Sequence, residues 1–166
     1  VLHTRPRPEK ALARRRSNSS ISFSLPQYKR SYRLRGRQLT SFLPLFPSYM
    51  FLWGDGETRL AAFETKLIAN CITVDDQQRL HQDLARVHQL MASNAPLSPE
   101  ERLLPGMSVE ITQGPLAGLA GKVIRRGQRL KFLVEVHFLQ RGASVEIEGW
   151  MLKQADSPMA AACGSR

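Results

Sequence analysis

The sequence is short of cysteine, of long apolar runs and, over its first third, of acid. Cys71 and Cys163 are its only cysteines, and neither forms a CxxC pair or neighbours a histidine. A zinc site, a dithiol redox centre and a disulfide scaffold therefore have no donor set. Two reduced thiols of a cytosolic chain are the expectation. The uncharged run through Ser41–Gly54 contains Pro44 and Pro47 and falls short of the roughly 18–20 apolar residues that cross a bilayer. No charged segment leads into an apolar one, so no signal peptide is read. The chain opens at Val1 without Met, which leaves a non-standard start and a lost N-terminus both open. These absences speak against a secreted, membrane-spanning or disulfide-built protein.

What is present is enough for a core. The 166 residues are 42% apolar and 23% charged, the make-up of one ordinary domain or two small ones. The 24 Lys and Arg outnumber the 14 Asp and Glu, a net charge of +10. Residues 1–50 hold eleven of those cations, from Arg5 to Arg37, and one acid, Glu9. The whole excess lies in that first third, and the other 116 residues balance at 13 of each sign. A solvated basic face would explain part of it. A field this concentrated points further, to a polyanion partner, nucleic acid above all. No amphipathic stretch with aromatic anchors accompanies it, which speaks against a membrane surface.

Along the chain, Val1–Thr4 reads as the end of a strand. Pro8 and Glu9 suit the first turn of a helix through Ala11, Leu12 and Ala13, which stops before Ser17-Asn18-Ser19-Ser20. Ile21, Phe23 and Leu25 alternate with serines in a strand that ends at Pro26. The basic stretch Lys29–Arg37 reads as an exposed loop or hairpin tip. Tyr49, Phe51 and Trp53 alternate with Met50 and Leu52 in a second strand, closed by Gly54-Asp55-Gly56. A short helix from about Thr58 to Lys66 and a strand from Ile68 to Val74 follow. Asp75 or Asp76 caps a helix from Gln77 to about Ala92, with Leu80, Leu84, Val87 and Met91 on one face. His81 and His88 on that helix stand seven apart, the wrong spacing for a helical metal pair.

From Ser93 to Pro105 three prolines punctuate a linker, in which Ser98-Pro99-Glu100-Glu101 suits one capped helical turn. Beyond it the pattern is all-β. Val109 and Ile111 alternate, then Leu130, Phe132, Val134, Val136 and Phe138, then Val145 and Ile147. Short strands this dense predict a small closed barrel over residues 106–153, with a frayed tail over 154–166.

Two segments carry a resemblance. The first is Leu45-Phe46-Pro47-Ser48-Tyr49-Met50-Phe51. The second runs from Val109 to Val123 and includes Gly114-Pro115, Gly118 and Gly121-Lys122. In the second, Gly114, Gly118 and Gly121 suit a turn and close strand crossings. A phosphate-binding loop would need Gly at 116 and Ser or Thr at 123, where Leu116 and Val123 stand. With these residues in this order, the chain resembles the NusG family of transcription elongation factors over about residues 1–153.

The resemblance implies an α+β N-terminal domain, an antiparallel sheet flanked by helices, over residues 1–92. A linker at 93–105 would join it to a KOW barrel at 106–153. It implies a non-catalytic factor with no cofactor or metal, a monomer that regulates elongation, pausing, termination or antitermination. Its place would be the bacterial cytoplasm, on the nucleoid through polymerase. Phe46, Pro47, Tyr49 and Phe51 would grip the clamp of the largest RNA polymerase subunit, with Pro47 shaping the turn into the strand. Arg5, Arg14 and Arg15, with Arg30 and Arg33, would lie near the non-template DNA strand. The barrel would hold the termination factor Rho or a small-subunit ribosomal protein. The rival expectation is a KOW-containing RNA-binding protein of the ribosome or its assembly, in which the Phe46–Phe51 segment is buried core. No paired carboxylates or nucleophile elbow support an enzyme.

Overall fold

The computed structural model describes residues 1–4, 23–64, 66, 68–102 and 105–155. The helix expected after Pro8, Arg5, Arg14, Arg15, Ile21 and the tail beyond Ala155 lie outside them. Within the described residues the protein is mixed α/β, with few helices and three sheets built from antiparallel pairs. Its contacts form two compact units. One is Val1–His81 with Leu97–Pro99, and the other is Gln82–Pro96 with the chain from Glu100 onward.

In the first unit, strands β1 (Leu2–Thr4), β2 (Phe23–Ser24), β5 (Tyr49–Leu52) and β6 (Ile68–Cys71) form one sheet in the order β2-β5-β1-β6. Leu2 pairs with Met50 on one side and with Cys71 on the other. Helix α1 (Gly56–Phe63) covers one face, burying Leu2, Met50, Ala62 and Ile68 together with Phe23, Leu52 and Cys71 against them. The helix starts where it does because the Asp55 carboxylate accepts from the Thr58 backbone N–H and hydroxyl, each at 2.9 Å. Those bonds, the backbone one first, hold the Asp55 carboxyl below its ordinary pKa. Strands β3 (Gln27–Leu34) and β4 (Arg37–Pro44) form a separate two-stranded ribbon. The basic stretch is thus a full hairpin rather than a loop. The strand at Ile68 ends at Cys71 rather than Val74, although Ile72 still exchanges backbone hydrogen bonds with Val1 at 2.7 and 2.8 Å.

Helix α2 (Gln77–Ala92) begins at Asp76, whose side chain accepts from Arg79 N–H at 2.9 Å. Leu80, Leu84 and Val87 are buried as their spacing requires, and Leu90 rather than Met91 completes the row. A six-stranded sheet has the order β12-β8-β9-β10-β11-β7, and all of it but Leu97–Pro99 of β7 belongs to the second unit. Its strands are β7 (Leu97–Glu100), β8 (Met107–Ile111), β9 (Ala120–Arg126), β10 (Arg129–Val136), β11 (Arg141–Glu146) and β12 (Leu152–Gln154).

Two expectations fail here. Ser98–Glu101 forms no helical turn: Glu100 ends a strand, 7% exposed, and binds Ser144 at 2.7 Å and Arg126 at 2.8 Å. Burial held by two partners outweighs a local cap. The sheet also does not close, since β12 and β7 stand at its two ends among the described residues. The alternation over Leu130–Phe138 holds to Val136, after which residues 137–139 turn into a 3-10 helix. β10 is buried on both faces, Phe132 and Val134 on one and Leu133 and Glu135 on the other.

Candidate nucleic-acid interface

The β3–β4 ribbon pairs without a break from Gln27↔Pro44 to Leu34↔Arg37. Its two-residue turn has Arg35 at φ 48° and Gly36 at φ 77°. Positive φ at both central positions is the type I′ geometry, whose twist matches that of the flanking strands. Glycine adopts it freely, and arginine does so against a steric cost of about 1–2 kcal/mol. The ribbon is tied to the unit at its base, where Leu45 N–H donates to Pro26 C=O at 2.8 Å. Residues 29–40 are all exposed.

Side chains alternate between the ribbon's faces. Tyr28, Arg30, Tyr32 and Leu34 share one with Leu43, Ser41, Leu39 and Arg37, their cross-strand partners. Lys29 and Arg33 lie on the other, with Phe42 opposite Lys29 and Gln38 opposite Arg33. Tyr32 is 43% exposed and Phe42 is 55% exposed. Lys29, Arg30, Arg33, Arg35 and Arg37 put five cations on the ribbon with no acid. None of the five has an ion-pair partner among the described residues. Rings and unpaired cations interleaved on an exposed ribbon suit phosphates and base faces. Of the arginines singled out from the sequence, Arg30 and Arg33 therefore come together on β3, on opposite faces.

The aromatic segment differs from expectation. Phe46 and Phe51 are each 1% exposed and pack edge to face with centroids 6.1 Å apart. They are core, because β5 is covered on both faces. They cannot form an open hollow by themselves. Pro47 does shape the turn. Tyr49 N–H donates to Phe46 C=O at 3.1 Å, and Ser48 takes φ 68°. That is a type II turn, with Pro at its first central position and the left-handed residue at its second. Pro47 itself is exposed, while Tyr49 is half-buried with its ring 5.2 Å from His3. A cavity of about 390 Å³ opens at the other end of β5, with Phe51, Leu52 and Trp53 in its wall. Trp53, 46% exposed, meets His81 edge-on at 6.4 Å.

In the second unit the glycines have the roles their spacing suggested. Gly114 and Gly118 take φ 83° and 82°, and Gly118 N–H donates to Ile111 C=O at 2.7 Å. A Cβ on Gly121 would meet the Leu133 carbonyl and the Phe132 ring at 2.6 Å. A polar cluster escaped the sequence reading, since nothing in its spacing joins residues 83, 122 and 135–137. Asp83 accepts from the His137 backbone N–H at 2.9 Å and meets His137 Nδ1 at 3.1 Å. His137 Nε2 lies 3.3 Å from Glu135, which binds Lys122 at 2.9 Å. Arg86 stands 3.4 Å from Asp83. Each charge is met by an opposite one, the arrangement of a tie between helix α2 and β10. Among the described residues no group of His, Cys, Asp and Glu could hold a metal ion, and no helix is long and apolar enough to cross a membrane. Compared with known protein families and with curated proteins, the chain matches none.

Proposed function

We propose that the chain is a NusG-type transcription factor, a non-catalytic protein that binds RNA polymerase and nucleic acid to regulate elongation, pausing and termination. The observation that carries this reading is the composition of the first unit. It joins a cavity of mixed lining, with Phe51, Leu52 and Trp53 in its wall, to a ribbon of five cations without an ion-pair partner among the described residues. The cavity suits the tip of a helical hairpin, such as the polymerase clamp offers, and the ribbon suits the nucleic acid beside it. Binding that favours the closed, elongating state over the paused one would suppress pausing by that difference in affinity. The second unit, with glycines in KOW order at Gly114, Gly118 and Gly121, would hold Rho or a small-subunit ribosomal protein. A tether makes that second contact effectively intramolecular.

The burial of Phe46 and Phe51 favours a second reading, an RNA-binding protein of the ribosome or its assembly. Capture of purified bacterial RNA polymerase by the immobilised chain separates the two. The first reading expects capture that is lost in Trp53→Ala, whose ring walls the cavity. Tight binding of structured ribosomal RNA without polymerase capture would replace it with the second.

A further inference from the structure

The polar cluster at the end of β10 does more than match charges. His137 opens the 3-10 helix over residues 137–139, and Val136 at its N-cap position supplies no side-chain bond. The cap comes instead from helix α2, where Asp83 Oδ2 accepts the His137 backbone N–H at 2.9 Å. The same oxygen lies 3.1 Å from His137 Nδ1, and a Glu135 oxygen lies 3.3 Å from Nε2. The imidazole ring therefore faces a carboxylate at each nitrogen. A neutral ring carries one N–H and one lone pair, so it serves one carboxylate and sets its lone pair against the other. An imidazolium donates toward both. Asp83 Oδ1 accepts no hydrogen bond among the described residues, so the buried carboxylate relies on Oδ2 and on the ring's charge. We propose that Asp83, His137 and Glu135 form a proton-dependent latch, which holds the second half of α2 to the end of β10 when the ring is charged and loosens when it is neutral.

The carboxylates of Asp83 and Glu135 are 1% and 5% exposed, and the ring is 32% exposed. A cavity of about 260 Å³, walled by Arg86, Lys122, Glu135 and His137, opens beside it. The ring can thus exchange its proton with water while its acceptors stay buried. Two cations oppose a charge on the ring. On α2, Arg86 stands 3.4 Å from Asp83 Oδ1, and on β9, Lys122 binds Glu135 at 2.9 Å. Each is about a third exposed, so water screens it more than it screens the buried carboxylates. With the ring neutral, these four partners balance and the latch lacks one contact. Histidine is the side chain that changes charge between pH 5 and 8. The latch therefore contributes fully in mild acid and fades as pH rises and the ring gives up its proton.

This inference depends on neither half of the function proposed above. The test uses the full chain, with urea unfolding of the parent and of His137→Gln and nitrogen NMR of the parent's ring. At about pH 6 the variant's unfolding constant should exceed the parent's by about tenfold, the lower end for a hydrogen bond to a charged group. At about pH 9 the two should agree within about twofold, because Gln still donates one bond. Groups common to both chains cancel in that comparison. Glu135→Gln removes the second carboxylate and should cut the pH-dependent part to about threefold. The ring itself gives a readout that needs no variant. At about pH 7.5, where histidine in an unfolded chain is mostly neutral, the His137 ring should carry a proton on both nitrogens, and on one after unfolding in urea. A folded ring with one bare nitrogen at that pH overturns the latch, as does a stability difference that is the same in mild acid and in base.

Discussion

Two hairpins in this protein carry five cations each, and one pairs four of them with acids where the other pairs none among the described residues. In β9–β10, Lys122, Arg126, Arg129 and Lys131 lie within 4 Å of Glu135, Glu100 or Glu146, and Phe132, Leu133 and Val134 are fully buried. In β3–β4 the cations meet no acid among the described residues, and the tip half is exposed on both faces. Both turns use a glycine with positive φ, Gly36 and Gly127. Local chemistry makes the two alike, and their surroundings make one structural and the other available. A two-stranded ribbon is marginal alone, so β3–β4 survives on its attachment at Pro26 and Leu45 rather than on its charges. Its cations meet no acid among the described residues, which leaves them open to an external anion.

That contrast can be broken or sharpened by substitution. The largest effect should come from the buried rings at the ribbon's base. Phe46→Ala is expected to cost about 3–5 kcal/mol in urea unfolding, and a cost below about 1 kcal/mol would return Phe46 to the surface. Glu100→Ala should cost about 2 kcal/mol, because Arg126 and Ser144 lose a buried acceptor. Lys29→Ala, its counterpart on the bare hairpin, should stay within about 0.5 kcal/mol. Equal losses at the two sites would erase the distinction. Arg35→Gly should raise stability by about 0.5–1 kcal/mol, relieving positive φ at the small entropic cost of glycine. The finest test is Asp55. Its depressed pKa means that the cap contributes fully above the ordinary carboxylate range and fades as pH falls through the folded-state value. Asp55→Asn should then lower the melting temperature at neutral pH and differ little from the parent in acid.

Some of this was legible in the sequence and some was not. Helix α2 could be read because Leu80, Leu84 and Val87 repeat at its pitch above a capping aspartate. Val109, Phe132 and Val145 marked strands through simple alternation. The ribbon's length was hidden because Arg30 and Arg37 interrupt the apolar face that Tyr28, Tyr32 and Leu39 begin. Period-2 patterning marks a face that packs, and this ribbon packs on neither. Glu100 misled for a related reason: a Ser-Pro-Glu-Glu run looks like a helix start unless its distant partner, Ser144, is known. The aromatic segment was half read. Its turn at Pro47-Ser48 was foreseen, but alternation cannot tell a strand covered on one face from one covered on both.

The most direct measurement is the salt dependence of binding to a single DNA strand, compared between the two hairpins. Neutralising Lys29, Arg30, Arg33 and Arg37 to Gln, with Arg35→Asn to keep the turn, should flatten the slope of log affinity against log salt by about 3.5. The matching change at Lys122, Arg126, Arg129 and Lys131 should lower stability and leave the slope of the folded fraction nearly as it was. A slope unchanged by the first set, or lowered equally by the second, would contradict the claim that the bare hairpin holds its charge for nucleic acid.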